Sequence, residues 1–158
     1  MKEKIKTYAF FVVTTLAVGG LSALLTKNNM SSFEQLEKGP IDVPPIVFPI
    51  VWTVLFILMG ISAAMVFEKS RERGEYSVPA LRTYVLQLAV NFFWSIIFFN
   101  MQNYLFAFVW LILLWVLVAV MIFRFEKISP VAAYLQVPYF LWVTFAGYLN
   151  FMIWILNR

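Results

Sequence analysis

The sequence predicts an all-α integral membrane protein: one bundle of five transmembrane helices over residues 1–158, with a long, partly helical first loop. Hydrophobic residues make up 63% of the chain and charged residues 13%, against about 25% charged in an ordinary soluble domain. The charges also leave four charge-free stretches, residues 7–26, 43–67, 83–123 and 128–157, of 20, 25, 41 and 30 residues. A bilayer core about 30 Å thick takes about 20 apolar residues as helix. The 41-residue stretch therefore holds two spans and each of the others one. Nothing remains for a soluble catalytic or nucleic-acid-reading domain.

Composition excludes further classes. The chain has no cysteine and no histidine, so disulfides, thiolate nucleophiles, Cys- or His-ligated metals and the commonest general base are all missing, and no metal site is expected. The net charge of +4 has its explanation in topology. Nine Lys and Arg (Lys2, Lys4, Lys6, Lys69, Arg71, Arg73, Arg82, Arg124 and Lys127) fall on one side of the five spans and three (Lys27, Lys38 and Arg158) on the other. The positive-inside rule then predicts a cytoplasmic N-terminus and an outside C-terminus, with no need for a nucleic-acid partner. The Lys-rich start and Leu21-Ser22-Ala23 resemble a secretory signal, but four further spans favour an uncleaved first helix.

The first span, Thr7 to Leu25, carries Gly19, Gly20, Ser22 and Ala23, small residues that let another helix approach. In the loop from Lys27 to Pro44, Ser31 and Glu34 are spaced as a capping box, and Gly39-Pro40 would end the short helix it starts. That helix presents Phe33 and Leu36, either as filling between helix ends or as a lid. The second span follows Pro44-Pro45. Its Phe48, Trp52 and Phe56 form an i, i+4, i+8 aromatic stripe that reads as bundle core or interfacial belt, and Pro49 is harmless if it lies in the first turn.

The third span, from about Val78 to Asn100, carries Gln87, Asn91 and Ser95 at intervals of four, with Trp94 and Phe98 alongside. Amides at membrane depth are costly unless bonded, so this stripe faces the bundle interior. Interhelical bonding alone would also account for it. The fourth span is apolar all round and is expected to face lipid. The fifth begins at Ser129-Pro130, an N-cap followed by proline at the first helical position, and Pro138 should kink it by leaving the Tyr134 carbonyl without a donor. Tyr139, Trp142, Ala146 and Asn150 then share one face, which suits either core packing or a flat ligand.

Three groups of residues together carry a resemblance. Pro44-Pro45, Val47-Phe48-Pro49-Ile50-Val51-Trp52, Leu55 and Met59-Gly60 in the second span resemble the signature of the TspO/MBR family, the tryptophan-rich sensory, translocator and peripheral-type benzodiazepine receptor proteins. Leu88, Asn91, Trp94 and Phe98-Phe99, and Pro138-Tyr139, Trp142, Phe145-Ala146 and Leu149-Asn150, are similar to its other motifs, in the same order. The resemblance implies a membrane receptor or sensor with a pocket between helices, roofed by the first loop, for porphyrins and isoquinoline or benzodiazepine-type ligands. By motif position Trp52, Asn91, Trp94, Trp142 and Ala146 would line it, with Phe48 and Phe56 nearby and Phe33 in the loop.

Porphyrin transport, or light-dependent porphyrin degradation with Trp52 and Trp142 as candidate reactive indoles, is the further activity the family implies. Porphyrin is expected as ligand rather than cofactor, no cofactor being required. The other expected partner is membrane lipid, and a homodimer stays open. Two departures stand out: Lys38-Gly39-Pro40-Ile41-Asp42-Val43 replaces the family's usual Lys-Pro-x-aromatic, and Tyr148 and Arg158 are too far apart for the sterol motif of animal members. The alternatives are a small multi-pass transporter and a structural assembly subunit. Proton-coupled carriers rely on an ionisable residue inside the membrane, and the charge-free stretches supply none.

Overall fold

The computed structural model describes residues 2–74 and 77–158. Its helices are α1 (Lys2–Thr26), α2 (Met30–Glu34), α3 (Val47–Arg73), α4 (Val78–Ser95), α5 (Tyr104–Ile128), α6 (Pro130–Tyr134) and α7 (Val137–Leu156), and no strand occurs among the described residues. Five helical segments are long and apolar enough to cross a membrane: Lys2–Glu34, Val47–Arg73, Val78–Asn100, Tyr104–Ile128 and Pro130–Leu156. Helices satisfy their backbone polar groups internally, which hydrocarbon demands. Large apolar side chains such as Phe10, Val54, Phe93, Ile112, Phe123 and Leu141 remain exposed on the outside of the bundle, where lipid replaces water.

The spans form a closed ring in the order α1, α3, α6/α7, α5, α4, and specific contacts fix each neighbour. Gly60 of α3 lies so close to α1 that a Cβ there would be 2.6 Å from the Val12 Cα, and a Cβ on Gly19 would be 2.4 Å from the Phe56 ring. Ser62 donates to the Ala132 carbonyl at 2.7 Å, joining α3 to α6. Trp115 donates to Thr144 at 2.9 Å between α5 and α7, and Trp110 to the Val90 carbonyl at 2.8 Å between α5 and α4. Thr15 bonds Tyr84, closing the ring between α4 and α1. At one end of the bundle Lys4 pairs with Glu72, and Arg71 bonds the buried Glu68 at 2.8 Å.

Local signals shape the helix ends, at Pro49 and Ser129 as the sequence reading has them. Pro49 is the third residue of α3, in the first turn, where its missing N–H costs no bond. Gly74 closes α3 with φ 64°, the left-handed geometry that favours glycine, and Arg71 and Arg73 lie in the last turn, where cations suit the helix dipole. Ser129 caps α6, its hydroxyl accepting from the Ala132 N–H at 3.4 Å. The fifth span breaks between α6 and α7 at Leu135 and Gln136, with Pro138 at the second position of α7.

Two expectations are corrected. The capping box at Ser31 and Glu34 does not form. The chain leaves α1 through a 3₁₀ turn, Lys27–Asn29, and α2 begins at Met30, so Ser31 lies inside the helix and Asn29 occupies the cap position without a side-chain bond. The helix also ends at Glu34, short of Gly39, whose φ of 85° serves a later turn beside Met152 of α7. Nor does the fourth span simply face lipid. Ala107, Leu111, Leu114, Val118, Met121 and Phe125 are buried at alternating spacings of four and three, a seam packed on α4 and α7. Because the opposite face is equally apolar, as lipid requires, composition hides the seam.

Candidate functional site: an aromatic cavity between the helices

The third span does not end as a regular α-helix. Residues Ile96–Asn100 form a π turn, with the Met101 N–H reaching back five residues to the Ile96 carbonyl at 3.1 Å. The wider turn lets the adjacent Phe98 and Phe99 both face inward, and π turns recur at functional sites. Asn100 at its end donates to the Leu25 carbonyl at 3.1 Å and accepts from Asn29 at 2.7 Å, tying the turn to the far end of α1.

Beneath this junction lies a cavity of about 280 Å³, walled by α1, α2, α3, α4 with its π turn, and α7. Trp52 of α3 is part of its wall. Its ring stacks on Phe56 at 5.6 Å between centroids, lies 6.4 Å from Trp94, and meets Tyr139 edge-on at 6.2 Å. Phe33 closes the loop end, packed against Phe48 at 6.1 Å, Phe98 at 5.9 Å and Phe99 at 5.7 Å. Such edge-on and tilted pairs are favoured geometries for aromatic rings and leave ring faces available to a flat guest.

The polar groups at the wall are organised by a buried chain. Asn91 donates to the Tyr139 hydroxyl at 2.7 Å, and that hydroxyl donates to the Gln87 Oε1 at 2.7 Å. Gln87 in turn donates to the Met59 sulfur at 3.6 Å. Trp94 donates to Asn150 at 3.2 Å, and Asn150 to the Tyr104 carbonyl at 2.8 Å. Asn91 Oδ1 accepts no hydrogen bond among the described residues, and Asn91 is part of the cavity wall. The wall therefore offers a fixed polar atom beside Trp52, held by groups that do not themselves face the cavity.

Seven of the eight residues singled out in the sequence line this cavity: Phe33, Phe48, Trp52, Phe56, Asn91, Trp94 and Ala146. Trp142 stands one ring behind, 5.9 Å from Phe48 and 5.5 Å from Phe145, and its buried indole N–H has no hydrogen-bond partner among the described residues. It supports the wall through Phe48. Residues passed over as site candidates also line it, among them Ser22, Thr26 and Phe99. Ser22 and Thr26 stand four apart on the small-residue face of α1, a spacing visible in the sequence, whereas Phe99 reaches the wall only because of the π turn.

A polytopic helical membrane protein with an aromatic cavity between its helices is the class that this fold and site define. The sequence model of the TspO/MBR family matches residues 11–155, and the chain belongs to that family. It is 37% identical to the tryptophan-rich protein TspO of Chlorobaculum tepidum, over 99% of each chain. Similarity extends to the protein CrtK of Rhodobacter capsulatus, 36% identical over 95% of this chain and 92% of the other. To the translocator protein of Bos taurus it is 31% identical over 77% of this chain and 72% of the other.

Proposed function

We propose that this protein binds flat aromatic ligands, porphyrins and isoquinoline or benzodiazepine-type molecules, in the cavity around Trp52. The observation that carries the reading is the cavity itself: α3, α4 with its π turn, and the first loop converge tryptophan and phenylalanine rings on a space with few polar groups and no metal-binding cluster among the described residues. Drug-sized ligands occupy pockets of roughly 300–1,000 Å³, so this one, at about 280 Å³, falls just below that range. A two-ring drug scaffold fits within it. A tetrapyrrole is larger and enters edge first, with part of the macrocycle left outside. The proposed topology places the N-terminus in the cytoplasm, on the nine-to-three bias of Lys and Arg.

Asn91 supplies the test. If its free Oδ1 meets a polar atom of the ligand, Asn91→Leu removes that contact together with the bond to Tyr139. Interhelical bonds in membranes are worth about 0.6 kcal/mol on average, so the expected loss of stability is small. A ligand bond lost in a dry pocket costs about 1–3 kcal/mol, or roughly 5- to 150-fold in affinity. Isoquinoline titration and thermal unfolding of the same variant compare the two. Equal losses in both would make Asn91 a structural residue.

A further inference from the structure

The cavity wall is not closed evenly. Its members on α4, the π turn and α7 are buried or half-buried, with Asn91, Trp94, Phe98, Ala146 and Ile153 among the buried ones. Its exposed members are Ala23, Met30, Glu34, Pro45 and Pro49, all on α1, α3 or the chain between them. Toward the opposite end of the bundle α1 and α3 are pressed together at Gly60 against Val12 and at Gly19 against Phe56. Beyond Gly19, Ser22, Ala23 and Thr26 of α1 and Phe48, Pro49 and Trp52 of α3 line the cavity. Among the described residues no hydrogen bond joins α1 residues 19–26 to α3 residues 47–52, and the exposed wall residues there, Ala23 and Pro49, are small or cyclic. Ala23 and Pro49 lie within the charge-free stretches 7–26 and 43–67, beside the exposed apolar Leu24, Ile46 and Ile50.

The loop above is fastened instead. Asn29 donates to Asn100 at 2.7 Å, the Glu37 N–H donates to Asn157 at 3.0 Å, and Asn157 donates back to the Glu37 carbonyl at 2.8 Å. Between these ties Phe33 packs on three phenylalanine rings. Access through the loop would break all of them. Access between α1 and α3 breaks none.

We infer that the cavity takes its ligand from the bilayer, through a lateral portal between α1 and α3 bounded by Ala23 and Pro49, while the first loop acts as a fixed roof. The inference rests on the ligand-binding reading above and narrows it. The ligands are apolar molecules already dissolved in the membrane, and they reach Trp52 without passing through water. A macrocycle too large for the cavity also finds a place, since its outer edge can stay in lipid.

The test is stopped-flow association and dissociation of protoporphyrin IX with the full chain in lipid nanodiscs. Ala23→Trp fills the portal and is expected to slow both rates by about tenfold or more, equivalent to about 1.4 kcal/mol of added barrier. Ala17→Trp, on the exposed surface of α1 away from the wall, is expected to match the parent. So is the association rate of the loop variant Asn157→Ala, which releases the loop at Glu37 without touching the cavity wall. Since the chain has no cysteine, Ala23→Cys with Pro49→Cys, bridged by a cleavable thiol crosslinker, closes the gap without a bulky side chain, and cleavage should restore the parent rates. Parent-like rates in both portal variants, or faster association in the loop variant, overturn the portal. Absence of saturable binding in the parent protein instead overturns the ligand-binding reading and this inference with it.

Discussion

Trp52→Ala is expected to weaken protoporphyrin binding about 30-fold or more, a larger loss than Trp142→Ala produces. Trp52 lines the cavity and meets the rings of Phe56, Trp94 and Tyr139, so truncation removes both a stacking face for the ligand and the support of three neighbouring rings. Central aromatic anchors of this kind cost about 2 kcal/mol or more when cut to alanine. Trp142 does not line the cavity and packs on its wall residue Phe48, so its loss corresponds to a supporting aromatic pair, about 0.5–1.5 kcal/mol or roughly 2- to 10-fold. Trp52→Phe separates stacking from core support, because it keeps an aromatic face. Equilibrium fluorescence titrations on the three variants measure the order directly, and equal losses at the two tryptophans would count against Trp52 as the central surface.

Gly60→Ala is expected to destabilise the bundle by about 1–3 kcal/mol, the usual penalty for overfilling a packed interface. A single methyl there meets the Val12 Cα at 2.6 Å, its N at 2.9 Å and the Phe11 carbonyl at 3.0 Å. All three are backbone atoms, so relief requires the whole of α1 to move. Gly20→Ala is the counterpart, with open space around its Cβ and a better helix former in place of glycine. It should unfold at the parent temperature or slightly above. Thermal unfolding in detergent reads both changes, and an unchanged transition for Gly60→Ala would mean that α1 is not seated against α3 at this point.

Much of this arrangement is legible in the sequence because hydrocarbon is a demanding solvent. Charge has to leave the spans, so the charge-free stretches give their number, and buried amides need partners, so the four-residue recurrence of Gln87 and Asn91 marks an inward face. Both residues do enter one buried chain, through Tyr139. Pro138 marks the break in the fifth span through its missing donor. What stays hidden is set by contacts distant in sequence. Nothing in Ile96-Ile97-Phe98-Phe99-Asn100 announces a π turn, which is held by bonds from Asn100 to Leu25 and Asn29, more than 70 positions away. Trp142 shares a helical face with Tyr139 and Ala146, but Phe48 stands between it and the cavity, and spacing along one helix carries no information about its neighbour's side chains.

The central claim, that the space around Trp52 is a ligand site, is met most directly by a crystal structure of the protein grown with an isoquinoline ligand. The ring system is predicted to lie in contact with the Trp52 face, within hydrogen-bonding reach of Asn91 and beneath Phe33. A ligand found only on the outer surface of the bundle, with the rings around Trp52 packed as they are without it, would contradict the account.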